Sequence, residues 1–234
     1  NGKLDTRPIP GKNLRLSIDI ELQKFGEKLM GSKIGAIVAI EPETGEILCL
    51  VSTPTFNPAD MVGRQRGKMH MELERDPRKP LFNRALMASY PPGSTFKPAQ
   101  SLIFLQEKII TPSTSFPCYH GFVVPGLRVG CHSHPSPLPL VPALATSCNS
   151  YFCWGLYKMI DNKKYLNSDS ALTVWKDHMV SMGFGYKLGI DLPGEKRGLI
   201  PNAKFYDKIY GKGRWGGLRI IHTAIGQGEV LLTP

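Results

Sequence analysis

Long apolar runs are missing from this chain of 234 residues. None reaches the ~18–20 residues that a bilayer-crossing helix needs, so the sequence holds no candidate membrane span. Carboxylates are scarce: 19 Asp and Glu stand against 29 Lys and Arg, a formal net charge of +10. Such an excess suits an acidic partner, whether nucleic acid, an anionic membrane surface or a polyanionic polymer. Nucleic acid fits least, because there is no arginine stripe with interleaved aromatics and no basic tail. The densest basic cluster, Arg64 to Lys79, is broken by Glu72, Glu74 and Asp76 and reads as a solvated loop. Cysteines are few and odd in number (Cys49, Cys118, Cys131, Cys148 and Cys153), which argues against a disulfide-stapled scaffold. A chain this long buries enough core to fold without one. Cys49, in an apolar run, reads as a core residue. No internal repeat and no βαβ alternation is present, so the expected class is α+β rather than a doubly wound sheet.

What is present falls into recognisable segments. Residues 1–13 are polar and rich in Pro and Gly, and read as a linker. Asn1-Gly2-Lys3 carries no signal segment and looks like an internal start, so a domain cut from a longer protein is expected. Leu14 to Met30 has helical periodicity, with Asp19 as N-cap and Gly31 as stop. Ile34–Ile40 and Ile47–Val51 flank the turn signal Glu41-Pro42-Glu43-Thr44-Gly45-Glu46 and predict a hairpin. Residues 54–93 look irregular. A helix is predicted from Ser94 to Glu107, with Leu102 to Leu105 facing the core. Residues 111–142 are proline-rich and read as loop. A helical pattern over Leu140 to Ile160 breaks around Ser147, another helix is predicted over Leu172 to Met182, and a short one over Arg219 to Ile225.

Chemistry concentrates at Tyr90-Pro91-Pro92-Gly93-Ser94-Thr95-Phe96-Lys97-Pro98. A serine hydroxyl is a weak nucleophile at neutral pH and needs a base. Three residues along a helix, Lys97 shares a face with Ser94 and can reach it. Pro98 is tolerated in a first helical turn. Ser94 would then lie at the positive end of the helix, where charge developing on a carbonyl is stabilised. Read alone, the pair is equally a surface serine and a solvated lysine at a helix start. Ser147-Cys148-Asn149 follows 53 residues after Ser94. In an extended turn, Ser147 and Asn149 point the same way, with Cys148 turned away. The hydroxyl could relay a proton, and the carboxamide could pair with a peptide-like substrate. Either residue could instead be the N-cap of the helix that follows.

The serine-x-x-lysine and serine-x-asparagine pair resembles the signature of penicillin-binding proteins and class A β-lactamases. The surroundings are similar to class B penicillin-binding proteins, most of all to the penicillin-binding protein 2 group: Ala36 to Leu48, Asn83-Arg84-Ala85, Tyr90 to Pro98, Thr146 to Phe152, Gly183-Phe184-Gly185, Gly189 to Glu195, Gly198 to Pro201, Ala224 to Glu229 and Thr233-Pro234. The resemblance implies an antiparallel sheet with helices, the fold shared by transpeptidases and serine β-lactamases. It implies a peptidoglycan D,D-transpeptidase, with Ser94 as nucleophile, Lys97 as its base, Ser147 as proton relay and Asn149 as a hold on the acyl-side amide. β-Lactams would acylate Ser94 by the same route, and no cofactor would be required. Stem peptides would be the substrate, and a glycosyltransferase and other elongation-complex membrane proteins the partners. The place would be the periplasmic face of the bacterial inner membrane, with an N-terminal anchor and a pedestal domain outside this sequence. The family's third motif, Lys-Thr-Gly or Lys-Ser-Gly, occurs nowhere here. Residues 14–234 are therefore expected to be an N-terminal part of the transpeptidase domain. The alternatives are a serine β-lactamase and a non-catalytic penicillin-binding scaffold module.

One further cluster needs an account. Cys118, His120, Cys131, His132 and His134 fall within 17 residues. Thiolate and imidazole are the ligands zinc prefers, and some penicillin-binding protein 2 relatives resemble this in holding zinc between the two motifs with another ligand mix. Cys118, Cys131 and His134 are the preferred ligands, with His120 or His132 as further candidates and Cys148 or Cys153 as substitutes. A Cys118–Cys131 disulfide and unrelated surface histidines are the competing readings.

Overall fold

The computed structural model describes Ile9 and residues 11–234. Of the linker expected over residues 1–13, residues 1–8 and 10 lie outside the described residues. Ile9 and residues 11–13 are exposed and in neither helix nor strand. The chain divides into two units, one ending at Ala85 and one running from Leu86 to Pro234.

In the first unit, helix α1 (Ile20–Met30) is followed by the antiparallel pair β1 (Gly35–Ile40) and β2 (Ile47–Thr53). Asp19 is the N-cap, its Oδ1 accepting from the N–H groups of Glu21 and Leu22 at 2.9 and 3.0 Å. The helix thus starts and stops at the expected caps, Asp19 and Gly31. The register runs from Gly35 opposite Thr53 to Ala39 opposite Cys49, then slips at Ile40. Gln23 of α1 acts as an extra rung: its amide accepts from the Leu50 N–H at 2.8 Å and donates to the Leu50 carbonyl at 3.2 Å. Met30, Cys49 and Val51 form the small core. Residues 54–93 are more regular than expected, holding α2 (Arg66–Arg75) and α3 (Arg84–Met87). None of α2 is buried, so no apolar stripe announced it. The loop expected at Arg64 to Lys79 is corrected accordingly.

The second unit is built around α6 (Asn149–Ile160). It packs against α4 (Lys97–Gln106), the β3 (Gly121–Val124) and β4 (Leu127–Gly130) hairpin, α7 (Ser168–Ser181), and the tight turn Ile221–Ile225. Phe104, Phe122, Phe152, Leu156, Met159 and Trp175 fill the core. Gly155 is required there, since a Cβ would fall 2.4 Å from the Phe104 ring. Elements α5 (Leu140–Ala145) and α8 (Ala203–Tyr210) complete the unit.

Several expectations change. Ser94 opens no α-helix: it sits in a tight 3-10 turn, Gly93–Phe96, that runs into α4. Leu102 is exposed, while Ile103 and Phe104 face the core. The β3–β4 hairpin was hidden by the surrounding prolines, although Pro125-Gly126 between two β-rich runs is its turn signal. Helix α7 begins four residues before Leu172, where the Asn167 side chain caps it through the Ser170 N–H at 2.9 Å. Asn202 caps α8 in the same way, and that cap was its overlooked sign.

Candidate active site

Pro91-Pro92-Gly93 delivers the chain to the Ser94 turn. Gly93 (φ +60°) donates its N–H to the Gly226 carbonyl at 2.8 Å. Gly226 itself has φ +65°, and a Cβ there would lie 2.4 Å from the Gly93 carbonyl oxygen. Only glycine permits that approach. Phe96 is buried edge-on to Phe184 and Trp175, with centroids 5.7 and 6.4 Å apart. It pulls the turn inward, so Ser94 remains exposed while Lys97 is 1% exposed.

Lys97 Nζ donates to the Ser147 carbonyl at 2.7 Å, to Ser147 Oγ at 2.9 Å and to Asn149 Oδ1 at 2.7 Å. Three acceptors match the three donors of an ammonium. The Phe152 ring lies 5.5 Å from the same nitrogen. Among the described residues no hydrogen bond joins Lys97 to Ser94. The amine that the spacing directs toward the serine rests on the second motif instead. Burial pushes the Lys97 pKa below the ordinary lysine value, because a desolvated ammonium is disfavoured.

Ser147 owes its position to a left-handed residue, φ +52°. It follows the end of α5, where the N–H of Ser147 reaches the Leu144 carbonyl at 2.9 Å and that of Cys148 reaches Ala143 at 2.8 Å. This left-handed helix ending brings both oxygens of Ser147 onto Lys97. Neither Ser147 nor Asn149 is the N-cap of α6; Cys148 is, its sulfur accepting from the Tyr151 N–H at 3.4 Å. Asn149 spends Oδ1 on Lys97 and donates through Nδ2 to the Gly130 carbonyl on β4 at 2.8 Å.

Cys148, one of the substitutes the sequence offered, joins the three preferred donors. Ligand atoms of Cys118, Cys131, His134 and Cys148 all lie within 4.8 Å of one another. His120 and His132 are not in the group, and His132 Nε2 meets the Thr146 carbonyl. All five cysteines are free thiols. A tetrahedral zinc with Zn–S of about 2.3 Å has ligand–ligand edges of about 3.5–3.8 Å, and Cys131 Sγ stands 3.4 Å from His134 Nε2. His134 Nδ1 pairs with the Pro135 carbonyl at 2.7 Å. That leaves Nε2 facing the sulfurs, the arrangement of a ligating imidazole held by an outer partner. The Pro135 carbonyl also holds His134 above the ordinary histidine value. Burial pushes Cys148 up to about 12 and raises Cys118. Burial would raise Cys131 too, but the Asn149 N–H at 3.3 Å and His134 bring its thiol below the ordinary value. The four donors could hold a metal ion, and through Cys148 the cluster shares its backbone with Ser147 and Asn149.

Residues 35–234 match the family described as the penicillin-binding protein transpeptidase domain. A relative in Acinetobacter baumannii named peptidoglycan D,D-transpeptidase MrdA is 34% identical over 231 residues, covering 97% of this chain and 33% of that protein. A crystal structure of Pseudomonas aeruginosa PBP2 in complex with WCK 5153 aligns with TM-score 0.79 at 32% identity, over 97% of this chain and 50% of that one. Helicobacter pylori PBP2, in a complex with MreC, aligns with TM-score 0.80 at 31% identity, over 93% of this chain and 39% of that one. The chain spans about a third of the length of the curated relatives it matches.

Proposed function

The chain belongs to the penicillin-binding protein transpeptidase family, and from that premise we propose that it carries the nucleophile side of a peptidoglycan D,D-transpeptidase site. The observation behind the reading is the buried Lys97, three residues after an exposed Ser94, with Ser147 and Asn149 both within hydrogen-bond reach of its amine. Lys97 in its neutral form takes the Ser94 proton, and the Ser94 oxygen attacks the penultimate D-Ala carbonyl of a stem peptide. Ser147 passes a proton from Lys97 to the departing amine, so the terminal D-Ala leaves as a free amino acid. An amine on a neighbouring stem then attacks the Ser94 ester, forming the cross-link and returning the proton to Ser94. β-Lactams acylate Ser94 by the first half of this route. Asn149 keeps one amide hydrogen for the acyl-side amide, since Gly130 uses the other.

The same proposal places the transpeptidase domain at residues 14–234, as part of a longer protein anchored at the periplasmic face of an inner membrane. No helix among the described residues is long and apolar enough to cross a membrane. Partners of that protein would be a glycosyltransferase and membrane proteins of the elongation machinery; the H. pylori neighbour is seen with MreC. Zinc at Cys118, Cys131, His134 and Cys148 would be structural, tying the 118–134 segment to the start of α6. It supplies no reacting group. Tag-free protein should carry close to one equivalent, and less than about a tenth would sink the assignment.

Labelled penicillin tests the main reading in the full-length protein. A stable adduct that disappears in Ser94→Ala is expected. Absence of any adduct in the wild type, label surviving in Ser94→Ala, or rapid hydrolysis of the penicillin would each overturn it.

A further inference from the structure

A second cleft lies in the unit Leu86–Pro234, with a volume of about 390 Å³. Its walls come from α7, the 185–202 segment and α8. Four cations line it: Lys176, Arg197, Lys204 and Lys208. No Asp or Glu does. Among the described residues none of the four is in a salt bridge or a side-chain hydrogen bond.

Of the acids nearest in sequence, Asp177 beside Lys176 does not line the cleft, and the other two are engaged elsewhere. Asp207 accepts from Trp215 Nε1 at 2.9 Å. Glu195 accepts from the N–H groups of Leu188 and Gly189. Lys204 and Lys208 stand one turn apart on α8, a like-charge spacing that weakens a helix. A charged face kept only for solubility would mix signs, as α2 does with its Lys68–Glu72 pair. Gathering one sign of charge around a concave wall focuses the field and concentrates anions there.

We propose that this cleft binds a phosphate-bearing ligand, of the size and charge of a diphosphate group. Its capacity lies within the range of small-molecule sites. Four cations match the several negative charges of a diphosphate, and Arg197 can meet two phosphate oxygens at once. Tyr186, Asn202 and Phe205 supply the neutral part of the wall. The site is separate from the Ser94 chemistry and does not depend on that reading.

Two arms separate the sources of phosphate. Inorganic diphosphate, titrated calorimetrically into the full-length protein at low salt, tests the free group. Vesicles with and without an anionic phospholipid test a headgroup. Diphosphate should bind and raise the melting temperature, and each of Lys176→Gln and Arg197→Gln should weaken it about tenfold. The control Lys163→Gln, outside the cleft, should leave it unchanged. Raising salt to about 1 M should abolish binding, as screening shortens to about 3 Å. Vesicle binding lost in the same two variants would assign the phosphate to a lipid and support the site equally. The proposal is overturned if neither probe binds, or if Lys163→Gln weakens binding as much as Arg197→Gln. Unchanged melting temperatures of the unliganded variants exclude misfolding as the cause.

Discussion

Lys97 Nζ and Asn149 Oδ1 lie 2.7 Å apart although 52 residues separate them in the chain. That contact, with the two from Ser147, takes up all three donors of the amine and leaves none on Ser94. The lysine is held by the second motif.

If Lys97 is the base, acylation requires its neutral form. Burial lowers its pKa, so the acylation rate should rise with pH and level off below the free lysine value of about 10.4. Lys97→Met should lose about 100- to 10,000-fold. Asn149→Asp, which puts a carboxylate against the amine, should move the profile to higher pH. A profile unmoved in Asn149→Asp would refute the electrostatic link.

Ser147 carries a left-handed backbone, φ +52°, which costs a non-glycine residue about 1–2 kcal/mol. Ser147→Gly should relieve it and raise the melting temperature by a few degrees, while removing the hydroxyl at Lys97 and slowing acylation at least about tenfold. A variant that is both less stable and fully active would contradict both parts.

Glu107 joins α4 to the region of α7: it accepts from Lys164 and Tyr165 on Oε2 and pairs with His178 through Oε1, each at 2.7 Å. The hydrogen bonds from Lys164, then His178 and Tyr165, hold its carboxyl at about 2. A folded pKa below the unfolded value contributes stability above pH of about 4.5 that is lost as pH falls toward 2. With Lys164 partly exposed, the contribution is on the order of 1–3 kcal/mol. Glu107→Gln should melt lower at pH 7, and the gap should close by pH of about 2. A gap independent of pH would disprove it.

Gly155→Ala places a methyl 2.4 Å from the Phe104 ring. Overpacking of this kind costs about 1–3 kcal/mol, read as a lower denaturant midpoint with an unchanged slope. An unaltered midpoint would show that α4 and α6 separate freely.

Local signals carried far. Asp19 capped its helix, the first hairpin formed around Pro42 to Glu46, and the break near Ser147 separated α5 from α6. Helices α2 and α8 escaped for the same reason: α2 buries nothing, and α8 buries only Tyr206. Periodicity needs a buried stripe to be seen. The Cys/His donors were legible as residue types, and the preferred Cys118, Cys131 and His134 do stand together. Which of the remaining candidates joins them was not legible: Cys148 does, while His120, His132 and Cys153 stand outside the group.

By itself the sequence determined the kinds of group available: a serine, a lysine, a hydroxyl–amide pair and soft metal donors, each set by short-range spacing. The tertiary structure decided which of them meet. Packing of α6 against α4 buried Lys97, lowered its pKa and gave it partners 50 and 52 residues away. The turn at Ser147 aimed two oxygens at the amine and left the Cys148 sulfur to the Cys118, Cys131 and His134 cluster. Such choices depend on distances closed by core packing, and no periodicity within one segment encodes them.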